Sequence, residues 1–303
     1  MQTDAQTLGQ FFEAWDLFRD PALSGAVAGA LLGWLGVYVV LGRMVFLSAT
    51  LSQAAGLGVA LSFWLGAATG LAGSPLVSPW TGSVVMTGLA TLLLLAERNP
   101  GGVRREAVLG FAYLVGAAGT LAVGTRIAAE SHDIDTLLFG TAVAVVPEDF
   151  RLLLLVATVL LAVHAWGVRG FVQAAFLPDA AQVRGLPVVL LRIVLFGSMA
   201  VAISVCTRVV GALPVFALSV LPATAATRLA PSVRTSLLLS AVIGAASGFA
   251  GYVAAFLWNL PVGASQTLIA ALFVAAAFLA ALPPAIKRRL TRSRSGPAGP
   301  GAP

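Results

Sequence analysis

The chain is 303 residues long, 59% hydrophobic and only 10% charged, with a net charge of +6 and a mean hydropathy of +0.96. A soluble domain carries about 25% charged residues, so composition excludes one. The basic excess does not point to nucleic acid, because five of the 18 basic residues follow the last apolar run at 287–294 and most others flank apolar runs, which is how a positive-inside signal looks.

Residues 1–21 form an acidic N-terminal segment. Asp4, Glu13, Asp16 and Asp20 stand against Arg19 alone, the wrong sign for the basic start of a cleavable signal peptide. Within it an amphipathic stretch at about 7–19 carries Leu8, Phe11, Phe12, Trp15 and Phe18 and is expected to lie at the membrane interface.

Residues 22–285 read as a transmembrane domain. Charge-free stretches cover 21–42, 44–96, 107–125, 152–168, 209–227 and 235–286, several of them longer than the ~20 residues a helix needs to cross a bilayer. A β-barrel would show short alternating segments instead. The fold class is therefore an all-α polytopic bundle of about 8–9 transmembrane helices with short re-entrant or interfacial segments. Spans are predicted near 22–42, 52–72, 80–97, 107–126, 150–168, 188–208, 210–228, 236–257 and 263–284. The segments around 134–147 and 209–222 contain Gly or Pro and could instead be half-helices that turn back. The remainder, 286–303, is a basic tail of disordered composition, expected in the cytoplasm.

Loop charges orient the bundle. Arg98, Arg104 and Arg105, then Arg169 and Arg184, then Arg228 and Arg234, mark cytoplasmic loops, and the acidic loop 127–135 faces outward. Nine spans, with the N-terminus outside, satisfy every loop. Gly25, Gly29 and Gly33 recur four residues apart, as do Gly244 and Gly248, a spacing that lets helix backbones approach closely within the bundle or across a dimer seam. Cys206 is the only cysteine, so no intrachain disulfide forms.

Four segments stand out from ordinary spans and turns. "RMVFLSATLSQAAGLG" sets Ser48, Thr50, Ser52 and Gln53 before a glycine-rich span. For Ser48 and Thr50, helix capping and pathway lining are both open. Gln53 reads as pathway lining, since an unpaired amide facing lipid is costly. "DIDTLLFGTAVAVVPEDF" is too short to span between its acidic ends. "VQAAFLPDAAQVRGLPV" reads as a short surface helix ended by Gly185 and Pro187, or as a solvated amphipathic loop. "LPVFALSVLPATAATRLAP" carries Pro214, Pro222 and Pro231, which break helices and expose carbonyls.

Taken in order, these segments resemble the membrane subunit of ABC-type metal-uptake transporters, the zinc/manganese/iron permease family. The opening polar turn, "LLFG" with "VVPEDF", "PDAAQVRG", "LPATAATRL" and "NLPVGASQTLIAALF" carry the likeness, which spans about residues 22–282. The resemblance implies a multi-pass subunit of the cytoplasmic membrane that moves a divalent metal ion or metal complex. It implies a homodimer or paired permease in the lipid bilayer, a cytoplasmic ABC ATPase and an extracytoplasmic solute-binding protein. ATP would be used by the partner, since this chain has no phosphate-binding loop, needs no cofactor of its own and is not itself an enzyme. No span holds the paired carboxylates, Ser-Lys pair or His/Asp cluster that an integral membrane enzyme would need. Alternative readings are a related permease for a non-metal polar solute, or a non-transporting scaffold subunit paired with an active paralogue.

On this resemblance, Ser48, Thr50, Gln53, Pro222 and Thr224 are candidates for the translocation pathway. Pro178, Asp179, Ala181, Arg184 and Gly185 are candidates for contact with the ATPase. Typical members carry an aspartate and, four residues on, a histidine in the polar turn; here those positions are Ala49 and Gln53. Neutral oxygens are weaker ligands for Zn²⁺ than imidazole, thiolate or carboxylate. Glu130, His132, Asp133 and Asp135 form an acidic loop that reads as solvated, or as an outer docking patch. His164 reads as a core histidine satisfied by a neighbouring carbonyl. Arg192 and Arg208 are expected to snorkel to the membrane surface.

Overall fold

The computed structural model describes residues 7–71, 74–96, 103–127 and 145–281. All regular elements among them are helical: α1 (Leu8–Glu13), α2 (Trp15–Leu41), α3 (Val45–Thr69), α4 (Pro79–Ala96), α5 (Val103–Ile127), α6 (Pro147–Trp166), α7 (Val168–Phe176), α8 (Pro178–Val183), α9 (Val188–Val210), α10 (Ala212–Leu229), α11 (Val233–Trp258) and α12 (Val262–Ala280). Eight of these helices are long and apolar enough to cross a membrane, and Pro79–Leu95 is a shorter apolar helix. The protein is a polytopic helical bundle, as the apolar runs require. The acidic loop with Glu130, His132, Asp133 and Asp135, most of the 134–147 segment and the 286–303 tail lie outside the described residues.

Two expectations change. The 209–222 segment is no half-helix. From Gly211 at φ +93°, α10 runs unbroken to Leu229, through Pro222. A proline removes one N–H and one ladder bond, which packing on α2, α11 and α12 outweighs here. The N-terminal aromatic stretch is also more than an interfacial strip. Thr7 and Gln10 form a reciprocal capping box on α1. Phe11 is fully buried, with Phe18, Tyr252 and Phe256 around it at ring distances of 5.5, 6.3 and 5.3 Å. This aromatic cluster clamps the first turns of α2 to the end of α11.

The core of the bundle is the antiparallel pair α2–α11. Gly25 faces Gly248, Gly29 faces Gly244, and Gly33 faces Ser240, backbone against backbone. A Cβ on any of these glycines would run into a carbonyl of the other helix. Ser240 uses the closeness to donate its hydroxyl to the Gly33 carbonyl at 2.6 Å. The buried Gln266 of α12 donates to the Gly248 carbonyl at 3.1 Å. Gly36 then seats α2 on Ser219 of α10. The small-residue spacing seen in the sequence is thus used for packing within one chain.

The second half of the bundle forms around α3, the most buried of the spans, which packs on α4, α5, α9 and α10. Gly58 and Gly82 bring α3 and α4 into backbone contact. Replacing Gly244 with Leu should separate α2 from α11 and cost about 3 kcal/mol, the upper part of the usual overpacking range. Gly88→Leu on α4, where added atoms meet open space, should change the melting temperature of the detergent-solubilised protein far less. Equal losses from both substitutions would refute this assignment.

Candidate translocation site

The link between α2 and α3 is three residues long. Gly42 N–H bonds to the Tyr38 carbonyl at 2.9 Å, Arg43 takes φ +54°, and Met44 N–H reaches the Val39 carbonyl at 2.9 Å. This turn starts α3 at Val45, seven residues before the predicted start. Ser48 and Thr50 are therefore inside the helix and cap nothing, which removes the capping reading for both.

Their hydroxyls are turned to packing. Thr50 lies within hydrogen-bond reach of the Phe46 carbonyl at 2.8 Å and of the Leu109 carbonyl of α5 at 2.9 Å, so it ties α3 to α5. Ser52 donates to the Ala49 carbonyl at 2.9 Å. Ser48 is fully buried, and its hydroxyl has no hydrogen-bond partner among the described residues. Gln53 differs from all three. It is only half-buried, fits against Gly116 of α5, and its carboxamide makes no hydrogen bond among the described residues. Ala49 and Gln53, four apart, share one helix face.

Pro222 is buried, and Thr224 donates to the Val220 carbonyl at 2.8 Å. They stand on α10, which touches α3, but no hydrogen bond joins them to Ser48, Thr50 or Gln53. The structure thus gathers three of the five pathway candidates on one helix and leaves the other two on its neighbour.

The segment after α6 is not one short helix but two, broken at Leu177, with Pro178 as first residue of α8. A proline there loses nothing, because the first helical N–H has no partner anyway. At the other end Gly185 takes φ +77°, Gly185 N–H bonds to the Gln182 carbonyl at 2.9 Å and Leu186 N–H to the Ala181 carbonyl at 3.0 Å. This is a Schellman stop, which needs a left-handed residue at that position. Ala181 anchors the inner face, Arg184 reaches Gln173 at 3.5 Å, and Asp179 and Val183 are exposed. Pro178, Phe171, Gly42, Met44 and Arg192 share a cavity of about 320 Å³. The α7–α8 pair therefore faces the turn from which α3 begins across this cavity.

At the opposite end Arg208 does not snorkel. Its Nε donates to Asp149 Oδ2 at 3.0 Å, and its guanidinium lies 4.8 Å from the centre of the Trp80 ring. Asp149 is in the first turn of α6 and Arg208 in the last turn of α9, so each charge also suits its helix dipole. One ion pair and one cation–π contact join the ends of α4, α6 and α9. Sequence reading missed this pairing, since its members are 59 residues apart; the only trace was a charge bordering each span. His164 is likewise not satisfied by a carbonyl. It is fully buried, neither ring nitrogen has a partner among the described residues, and it stacks on Phe171 at 4.3 Å. No group of three or more His, Cys, Asp or Glu capable of holding a metal occurs among the described residues.

A core of membrane-spanning helices with a pair of short helices at one end is the architecture of a multi-pass membrane subunit. The chain belongs to the ABC 3 transport family, whose model matches residues 15–281. It is 27% identical over 266 residues to the manganese import system permease protein ScaB of Streptococcus parasanguinis, covering 87% of this chain and 91% of that one. It is 27% identical over 282 residues to the manganese transport system membrane protein MntD of Bacillus subtilis, covering 88% and 92%. Its fold matches PsaBC from Streptococcus pneumoniae, solved in complex with Fab, with a TM-score of 0.77 at 22% identity over 90% of this chain and 95% of that one.

Removing one member of the Asp149–Arg208 pair leaves the other largely desolvated. Asp149→Asn or Arg208→Gln should cost about 1–3 kcal/mol, read as a lower unfolding midpoint in detergent. The double substitution should recover part of that loss; strictly additive losses would show that the two residues act independently.

Proposed function

We propose that this chain is the membrane subunit of an ATP-driven importer of a divalent transition metal, with manganese the cargo its relatives favour. A separate cytoplasmic ATPase pushes on α7–α8, a solute-binding protein delivers the cargo to the opposite face, and two permease chains enclose the path. The observation that supports this reading is that α7–α8 and the Gly42–Met44 turn line one cavity, with α7–α8 packed on α2 and α9 around it. A push on that platform reaches α2 and α9, on which it packs, and through them α3, which carries Ala49 and Gln53.

The chemistry of that face narrows the cargo. Manganese accepts carbonyl and water oxygens more readily than zinc, which favours imidazole and thiolate. A carboxamide and an alanine at the two positions suit an ion that keeps its own water or chelator. Such a face supports passage of a hydrated or complexed ion, in preference to one stripped to protein ligands.

The test is uptake into proteoliposomes holding the chain with its ATPase and binding protein, using manganese, zinc and iron with and without ATP. The wild type should take up manganese only with ATP. Uptake seen only after Ala49→Asp with Gln53→His would mean the native cargo is not a free metal ion, and no uptake by either would reject metal import. Gly185→Val should strain the left-handed stop of α8 by about 1–2 kcal/mol. It should lower ATP-coupled uptake several-fold while the ATPase still binds; unchanged uptake would remove α8 from the coupling route.

A further inference from the structure

A second cavity, of about 610 Å³, lies at the same end of the bundle as α7–α8 but to one side of them. Its walls come from Trp34 of α2, Trp166 at the end of α6, Arg169 of α7, and Arg234, Leu237 and Leu238 of α11. Arg169 and Arg234 are exposed, and neither makes an ion pair or hydrogen bond among the described residues. This contrasts with Arg208, whose charge is matched by Asp149. The chain thus points two uncompensated guanidinium groups into one cleft, and guanidinium is the side-chain group best matched to phosphate oxygens.

The remaining wall says where the phosphate is attached. Trp166 is 93% exposed in the last turn of the α6 span, and Leu238, in the second turn of α11, is 61% exposed. Tryptophan at a span end marks the depth of lipid headgroups. By that marker the cleft's arginines fall at headgroup depth and the exposed Leu238 at the start of the acyl region. The exposed tip of the platform, Val183 to Gly185, is formed by other residues that do not line this cleft.

We propose that this cleft binds the headgroup of an anionic phospholipid, with Arg169 and Arg234 on the phosphate and the exposed Trp166 and Leu238 against the glycerol and upper acyl chain. The bound lipid would wedge α6 and α11 against α7, the first helix of the platform. The site needs only the membrane setting of the fold and stands whether or not the cargo is manganese.

The test is quenching of Trp166 fluorescence in full-length protein reconstituted in phosphatidylcholine vesicles. Brominated phosphatidylglycerol is added in steps, with brominated phosphatidylcholine as the neutral comparison and Trp166→Phe to assign the signal. Wild type should be quenched at much lower fractions of the anionic lipid than of the neutral one, and that preference should weaken with salt. Arg169→Gln or Arg234→Gln should raise the half-quenching fraction about fivefold, and the pair about thirtyfold, following the usual contribution of a basic residue at an anionic surface. The double Lys variant, which keeps both charges, should stay close to wild type. Equal quenching by the two lipids, a preference insensitive to salt, or unchanged behaviour of a folded double Gln variant would overturn the proposal. Displacement of the lipid by millimolar inorganic phosphate would reassign the cleft to a soluble anion. Loss of ATPase association with lipid preference intact would reassign it to a protein partner.

Discussion

A helix in lipid gains little from hydrophobic contact with another helix, because the lipid is as apolar as the side chains. What remains is close packing and the hydrogen bonds that closeness permits, and the α2–α11 seam supplies both. Backbone meets backbone at Gly25–Gly248 and Gly29–Gly244, and at Gly33 the gap is small enough for Ser240 to bond the carbonyl across it. Gln266 closes the upper part of the seam from α12. Around this pair α10 and α12 pack, and through α10 the seam connects to α3. The position of the polar helix α3 is thus inherited, through α10, from glycines of another pair of helices.

The same constraint governs the hydroxyl groups. Thr87, Thr91, Thr120, Thr224 and Ser247 each donate to the carbonyl four residues back on their own helix. A hydroxyl so engaged costs little in lipid and offers little to a passing ion. Gln53 has no such local bond, and its long side chain sits at a partly open position beside Gly116. Ser48 also lacks a bond among the described residues but is fully buried, so Gln53 is the unpaired polar residue at the start of α3 that is partly open. Full charges are held at the two ends of the bundle, matched by Asp149 and Trp80 at one and left open in the lateral cleft at the other.

Much of this was legible in the sequence because the bilayer imposes length and apolarity on every span. The nine apolar segments, the close-packing role of the spaced glycines, and a short element stopped at Gly185 all follow from local pattern. The start of α3 did not, because its first turns carry hydroxyls that look like a helix boundary. Only a tight turn at Gly42–Met44, with Arg43 left-handed, shows that they are interior. The division of α7 from α8 was signalled by Pro178 but merged in reading. Pro222 suggested a break that tertiary packing overrides. Asp149 with Arg208 and His164 with Phe171 join separate elements, and local pattern carries no information about such pairs. That Ala49 and Gln53 stand where typical members carry an aspartate and a histidine was visible only by resemblance; their shared helix face follows from spacing, and the structure adds that Gln53 is the open member.

The glycine seam also has a mechanical meaning. Its notches recur every four residues, about 6 Å along a helix at 1.5 Å per residue. At intermediate offsets the larger side chains between the notches would ride over one another and force the two axes apart. Sliding of α2 along α11 is therefore not graded: it has one seated register, and the next lies a whole notch away. The pair behaves as a keyed shaft, and any change of access across the membrane must be taken up by tilting or by movement at contacts outside this seam.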